Sequence, residues 1–134
     1  MNTPVTGTPR ILLRLEGLMV LVAAIAAYRM LSGSWLLFVG LFLVPDLSAT
    51  GYLMGPSVGA RAYNVVHTYL GPGLLAAAMG MGLIPVYWQI PLIWIGHIGL
   101  DRAVGYGLKY PTAFRDTHLG QLGRGLKPQL DVGR

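Results

Sequence analysis

Ionisable side chains lie in apolar surroundings in this sequence. Three of its five carboxylates fall inside or at the edges of long apolar segments, namely Glu16, Asp46 and Asp101. His67 and His97 occur in the same segments. A charged group at the centre of a helix in hydrocarbon costs about 2.5–3.5 kcal/mol or more, so such groups usually mark a functional site.

The chemistry of these side chains suits a metal ion. Imidazole together with carboxylate binds Zn, Mn or Fe, and the interiors of helical bundles hold such sites. We therefore predict that the metal ligands are Asp46, His67, His97 and Asp101. A bound metal is expected to lower the pKa of a water ligand and so to make a nucleophile. Glu16 is the predicted general acid or base, or an extra ligand.

Further polar residues lie near these five in the sequence. Arg102 is predicted to be a catalytic residue. Either Arg102 or Lys109 is expected to neutralise the charge of a phosphate or carboxylate headgroup. Asn64 lies three residues before His67, so the two share a helical face. After the last apolar segment, an Asp-x-His pair is expected to add ligands or to form a cytoplasmic lid. The possible additional site residues are Asn64, Lys109, Asp116 and His118.

The same residues also have a purely structural interpretation. Asp101 would pair with Arg102 or Lys109, and Glu16 with Arg14. The histidines would hydrogen-bond across helices and so hold them together. Each residue taken alone favours this interpretation, whereas five at a similar depth on four helices favour a functional site.

Composition identifies the class of protein. Hydrophobic residues make up 54% of the 134 residues and charged residues 11%, against about 25% charged in soluble proteins. The net charge is +5, but the basic residues concentrate at the chain ends, which indicates contact with anionic membrane lipid rather than with nucleic acid. Because cysteine is absent, a disulfide or thiolate metal site is excluded.

Four apolar segments of roughly 20 residues are each long enough to cross a bilayer. They run over about 11–31, 35–54, 58–83 and 88–108. Short links between them force neighbouring helices to be antiparallel. The prediction is an all-α, integral membrane, up-down four-helix bundle, in one domain over 1–134 with a basic cytoplasmic tail over 109–134.

The orientation follows from the basic residues. Four spans put both termini on one side, and nearly all Lys and Arg fall on that side, with Arg29 opposite. The positive-inside rule then predicts a multi-pass protein of the bacterial inner membrane with both termini cytoplasmic. The first segment also resembles a signal peptide with Arg10 and Arg14 as its charged region, but Glu16 interrupts its apolar stretch.

Helical spacing refines the candidate site. His97 and Asp101 are four residues apart and share a face. Pro45 should free a backbone carbonyl and bend its helix, which would aim Asp46 inward. A further stripe of small residues predicts close helix packing, either within the bundle or in a homo-oligomer. This stripe comprises Gly99, Ala103 and Gly107.

Several stretches of the chain carry a resemblance to one family. They are residues 13–17, 45–48, 51–52, 63–67, 96–102, 105–111 and 116–120. Over about residues 10–120 the sequence resembles a family of small bacterial membrane proteins known as domain of unknown function 4260. The resemblance implies a four-helix membrane fold and carries no activity and no residue roles.

Three functions are consistent with these features. The first is a metal-dependent intramembrane hydrolase acting on a lipid or another amphipathic substrate that enters near the inner leaflet. The second is a proton- or ion-coupled transporter subunit in which the same residues form a relay. The third is a non-catalytic accessory membrane subunit, in which the polar layer only joins the helices.

Overall fold

The computed structural model describes residues 3–121, and these residues are helical except for turns and a C-terminal segment. The helices are α1 (Gly7–Met30), α2 (Trp35–Phe42), the 3-10 helix η1 (Val44–Met54), α3 (Pro56–Val66), α4 (Leu70–Gly80) and α5 (Gln89–Val104). One isolated bridge pairs Lys109 with Thr117. The all-α prediction is confirmed, and residues 122–134 of the predicted tail lie outside the described residues.

The closest helix pair is α1 with α5, and the two run antiparallel. Gly17 lies against Gly99, and Ala24 lies against Gly96, so numbering rises along α1 as it falls along α5. A Cβ atom at Gly99 would come within 2.8 Å of the Gly17 carbonyl oxygen. The two backbones touch because neither residue has a side chain, which is the usual use of small residues between helices in membranes.

The predicted stripe of small residues packs against other parts of the same molecule. Gly99 faces α1, and the Arg14 Nε–H donates to the Ala103 carbonyl at 2.8 Å. Gly107 lies against the ring of His118. These contacts support packing within one molecule. Homo-oligomerisation through this stripe stays a prediction.

The second predicted span changes helix type at its proline. Because Pro45 has no N–H, it cannot continue the α-helical hydrogen-bond pattern. The Asp46 N–H donates to the Leu43 carbonyl at 3.1 Å, three residues back, and the Ser48 hydroxyl donates to the Pro45 carbonyl at 2.7 Å. The 3-10 helix then runs for 11 residues, whereas such helices seldom exceed about four.

The third predicted span is two helices rather than one. It is interrupted at residues 67–69, because side chains of α5 bind the backbone carbonyls there. Trp94 Nε1 donates to Val66 at 2.7 Å, and Arg102 Nη2 donates to His67 at 2.8 Å. Pro72 contributes, since it cannot donate to the carbonyl four residues before it. The segment predicted as one span is therefore broken after α3.

Two stretches are long and apolar enough to cross a membrane. They are Gly7–Met30 and Trp35–Met54, with mean hydropathies of 2.0 and 1.7. Only 17% and 6% of these windows are buried, whereas a core helix of a soluble protein is mostly buried. Their apolar side chains therefore face outward. The fourth predicted span is helical only over Gln89–Val104, which is shorter than the roughly 20 residues that a full crossing needs.

Candidate metal centre

The four residues predicted as metal ligands meet at one point. Their facing atoms all lie within 4.8 Å of one another, and they are Asp46 Oδ1, His67 Nε2, His97 Nε2 and Asp101 Oδ2. The two Nε2 atoms are 3.1 Å apart. Asp46 Oδ1 lies 3.5 Å from His67 and 3.4 Å from His97. Asp101 Oδ2 lies 3.5 Å and 3.9 Å from the same two nitrogens.

These distances match those between the ligands of a tetrahedral metal ion. Zinc binds nitrogen and oxygen at about 2.0–2.2 Å, so neighbouring ligand atoms of a tetrahedron lie roughly 3.3–3.6 Å apart. The five distances that include a histidine nitrogen, 3.1–3.9 Å, bracket that range, and all four atoms lie within 4.8 Å of one another. Two histidines and two carboxylates suit Zn, Mn or Fe. The residues present therefore form a cluster that could hold one divalent ion.

His67 is oriented for metal binding by the helix that carries it. It caps the C-terminus of α3, is fully buried, and its Nδ1 lies 2.9 Å from the Tyr63 carbonyl oxygen. Because a carbonyl only accepts, Nδ1 carries the proton and Nε2 directs its lone pair into the cluster. The Tyr63 ring also stacks on the imidazole, with centroids 3.6 Å apart. Such outer contacts are typical of metal-binding histidines.

The two ligands on α5 are held differently. His97 and Asp101 lie one turn apart on the face of α5 that meets η1 and α3. The Tyr63 hydroxyl donates to Asp101 Oδ2 at 2.7 Å. His97 is 2% exposed and its ring contacts Phe42, while its Nδ1 has no hydrogen-bond partner among residues 3–121. Packing, rather than an outer hydrogen bond, therefore positions His97.

Asp46 reaches the cluster from η1. In a 3-10 helix, residues three apart lie directly above one another. Asp46 and Ala49 therefore share one face, and both line a cavity of about 280 Å³. The Asp46 side chain is 49% exposed, against 12% for Asp101. The open side of the cluster is thus the side of Asp46.

The rest of this cavity is mainly aromatic. Its wall is completed by Tyr63, Asp101, Tyr106 and Phe114. Tyr106 and Phe114 belong to the return segment, which we define as residues 105–121. This segment starts at Gly105, whose left-handed backbone (φ 101°) ends α5 and turns the chain back, a conformation that favours glycine. The return segment therefore forms the cover of the cavity.

The face of η1 away from the cavity borders an apolar groove of about 510 Å³. Val44, Leu47 and Ser48 form its η1 side, and Ile93 and Trp94 of α5 form the other. The groove and the polar cavity are therefore separated by the thickness of one short helix.

The predicted basic residues have distinct positions. Arg102 is buried, and its two terminal nitrogens donate to the carbonyls of His67 (2.8 Å) and Tyr106 (3.0 Å). It therefore supports the end of α3 and the start of the return segment. Asn64 binds the backbone of Lys109 twice, with Oδ1 accepting its N–H at 2.6 Å and Nδ2 donating to its carbonyl at 2.8 Å.

Three predicted residues do not join the cluster. Glu16 is exposed on α1, so the structure does not bring it to the position of a ligand or base. Asp116 accepts hydrogen bonds from Thr112 and Gln121 within the return segment. His118 Nδ1 accepts the Leu108 N–H at 2.8 Å. The last pair therefore holds the return segment together and adds no ligand to the four.

Burial and the charge of Arg102 lower the pKa of His118. The neutral imidazole is also the form that accepts the Leu108 N–H. The lowered pKa and this hydrogen bond are therefore consistent with each other, and both favour an uncharged His118 at neutral pH.

Sequence reasoning missed the aromatic residues of the site. Tyr63 contacts two of the four candidate ligands, and Tyr106 and Phe114 line the cavity. For Tyr63 a signal was present, because it precedes His67 by one helical turn and so shares its face. For the other two there was none, since the chain reversal at Gly105 decides where they lie.

Comparison with known proteins gives one match. No curated protein and no solved structure matches the chain. A family model described as a domain of unknown function, DUF4260, matches residues 10–122, a range that includes the four clustered residues and the return segment. The chain therefore belongs to the DUF4260 family.

Proposed function

We propose that this protein is a membrane-embedded, metal-dependent hydrolase that acts on a lipid or another amphipathic substrate. The observation that carries the proposal is the convergence of two buried histidines and two carboxylates beside an open cavity. A cluster that only joined helices would need no cavity next to it. Intramembrane ionisable groups arranged around a cavity are typical of functional sites.

The surface supports insertion into the membrane. The outward-facing apolar side chains of α1, α2 and η1 suit contact with acyl chains rather than with water. We infer a multi-pass protein with both termini on the cytoplasmic side, where the basic residues concentrate. The short helices α3 and α4 together supply the third crossing of this arrangement, and α5 supplies the fourth.

The residues divide the chemistry among themselves. A bound divalent metal would supply Lewis-acid chemistry and activate water. His67, His97 and Asp101 would hold it from the buried side. Asp46 contributes Oδ1 on the open side, and its second carboxylate oxygen is the proton acceptor that Glu16 does not provide. In the hydrolysis, water adds to the ester, the ester bond breaks, and the leaving oxygen takes up a proton.

Metal content tests this proposal directly. The full chain in detergent should carry, or take up on titration with zinc, one equivalent of metal. His97→Ala should lose this binding, whereas His118→Asn, which changes a histidine outside the cluster, should keep it. A wild-type protein that neither carries stoichiometric metal nor gains it on titration would refute the metal centre.

Flux measurements separate the hydrolase from the transporter. In proteoliposomes, the hydrolase should release product from vesicle lipid only when metal is present. Proton flux that depends on Asp46 and Asp101 but needs no metal would favour the relay instead. If alanine substitutions change only the thermal stability, the accessory subunit is the remaining function.

A further inference from the structure

A buried cation lies beside the candidate metal centre. Lys109 follows α5 in the return segment and is only 3% exposed. Its backbone is held on both sides, by the two hydrogen bonds of Asn64 and by the bridge to Thr117. The backbone position from which the Lys109 side chain extends is therefore well defined, although the residue lies outside any helix.

The ammonium of Lys109 lies among aromatic rings. Its Nζ is 4.1 Å from the centroid of Phe114, 4.7 Å from Tyr63 and 5.2 Å from Tyr106. All three rings line the polar cavity. Ring faces stabilise a cation at such distances but accept its N–H groups poorly. Within residues 3–121, no carboxylate lies within 4.0 Å of this Nζ to form an ion pair.

The charges around the cavity leave room for an anion. Burial lowers the pKa of Lys109, and the nearby Asp101 and Asp46 oppose this effect. With a divalent metal balancing the two carboxylates and both histidines neutral, the Lys109 ammonium and the nearby Arg102 guanidinium leave the site net positive. Burying an uncompensated charge is costly, so a bound monoanion would improve the electrostatics of the cavity.

We propose that Lys109 is the anion receptor of this site and that the ligand is a phosphate ester whose phosphate lies between the Lys109 ammonium and the four-residue cluster. A phosphate has four oxygens in a tetrahedron, so some can face the ammonium while others face the cluster. A phosphodiester also carries one negative charge, which offsets the charge of the Lys109 ammonium. This assignment rests on the proposed metal centre and defines its substrate class.

Arg102 is the other cation that could take this role, and its contacts exclude it. Both of its terminal nitrogens already donate to backbone carbonyls at 2.8–3.0 Å. Moving it to a ligand would leave the end of α3 and the start of the return segment without these bonds. Among residues 3–121, the Lys109 ammonium makes no such hydrogen bond that it would have to lose.

Binding of inorganic phosphate to the zinc-loaded full chain in detergent tests the proposal by calorimetry. Lys109→Met keeps the length of the side chain and removes its charge, and we expect phosphate affinity to fall at least about 10-fold. Arg61→Met removes the same charge from an exposed position on α3 and should bind phosphate like the wild type. Lys109→Arg should retain most of the binding. Equal phosphate affinity in wild type and Lys109→Met would overturn the proposal.

A second variant covers the case in which Lys109→Met does not fold. Ala49→Leu places a larger side chain in the cavity from the η1 side and leaves Lys109 intact. It should lower phosphate affinity at least about 10-fold with zinc affinity within about threefold of wild type. If Ala49→Leu binds phosphate normally, the cavity is not the anion site.

Further arms identify the source of the phosphate and separate this proposal from the metal centre. A short-chain phosphatidylglycerol that binds more tightly than inorganic phosphate supports a lipid headgroup, and the reverse order supports free phosphate. Acetate that binds as tightly as phosphate would overturn the phosphate assignment. Suppose that wild type takes up no zinc. If phosphate still binds and its binding depends on Lys109, only the metal centre is refuted. If phosphate does not bind in this way, the metal centre and the anion receptor are both refuted.

Discussion

The two sides of η1 have opposite chemistry. On one side, Asp46 and Ala49 border a cavity of about 280 Å³ with charged and aromatic walls. On the other, Val44, Leu47 and Ser48 border a groove of about 510 Å³ with almost entirely apolar walls. Neighbouring residues of one short helix therefore serve a polar site and an apolar surface.

The difference shows what a 3-10 helix contributes here. Its three residues per turn stack Asp46 above Ala49 and keep the residues between them on other faces. Pro45 enforces this helix type because it cannot donate the α-helical hydrogen bond. We infer that the polar side determines binding and chemistry, while the apolar side contributes packing and contact with acyl chains.

The largest expected effect is on zinc affinity, and two residues of α5 provide the comparison. Asp101→Asn keeps the shape of the side chain but removes a charged ligand, so zinc affinity should fall more than about 100-fold, beyond the 10- to 100-fold that outer contacts contribute. Ile93→Val, on the groove side, should leave zinc affinity within about twofold and lower the free energy of unfolding by about 1 kcal/mol. Competition with a chelator of known affinity measures both. Equal zinc affinities would remove the distinction between the two sides.

A smaller effect is expected from a pair of tyrosines. Tyr63→Phe deletes the hydroxyl that donates to Asp101, and zinc affinity should fall about 10-fold, as for other outer contacts of metal sites. Tyr52→Phe is the matched control, because the Tyr52 hydroxyl is buried with no partner among the described residues. Zinc titration of the two variants provides the comparison. If both behave like the wild type, the Tyr63 hydroxyl does not support the metal site.

The apolar side should affect substrate use rather than metal binding. Val44→Phe partly fills the groove, so the KM for hydrolysis of a short-chain phospholipid should rise several-fold while zinc affinity stays within about twofold. Steady-state assays with a soluble phosphodiester provide the control, since it has no acyl chain to place in the groove. A parallel change for both substrates would show that the groove does not bind the chain.

The smallest effect concerns pH and the cover of the cavity. Because the pKa of His118 is lowered in the folded state, the unfolded chain binds more protons. Stability is therefore lost as the pH falls from the unfolded pKa of about 6.5 to the folded pKa. Losing the bond from the Leu108 N–H should cost about 1 kcal/mol, or about 3–5 °C in Tm between pH 7.5 and 5.5.

A control variant isolates this effect from titration of the clustered histidines. In His118→Asn, the amide oxygen can accept the Leu108 N–H at any pH, so this part of the pH dependence should disappear. Hydrogen exchange, corrected for the intrinsic pH dependence of amide exchange, should show lower protection in residues 105–121 of the wild type at low pH, with the protection of α2 unchanged. The same acid shift in Tm for both proteins would assign the pH dependence to other groups.

Sequence reasoning identified the four clustered residues, but it also predicted a fifth, Glu16, which does not join them. Depth along a helix can be read from the distance to the end of an apolar segment, which placed Glu16 in the same layer. Rotation about the helix axis is decided by packing. Gly17 is the residue of α1 that meets Gly99 of α5, and this contact leaves Glu16 exposed. A prediction from depth alone, without the rotation of the helix, therefore included one residue too many, Glu16.

The break in the third span was equally outside the reach of hydropathy. Residues 58–83 form one long and mostly apolar segment, and only Pro72 hinted at an interruption. The break depends on Trp94 and Arg102, which bind the carbonyls at the end of α3 from another helix. These partners are about 30 residues away, so no local pattern contains them. The break also gives His67 its position at a helix end.

The sequence by itself determined the helical class and the chemical identity of the four candidate ligands, because these follow from composition, spacing and the energetic cost of ionisable groups in apolar segments. The resemblance of whole stretches of the sequence indicated the family. Tertiary structure decided which polar groups meet. The rotation of α1 excluded Glu16, and the turn at Gly105 brought Tyr106 and Phe114 to the wall of the cavity with Lys109 against their rings. Contacts between distant segments set both, because helix rotation and chain reversal follow from packing rather than from local propensity.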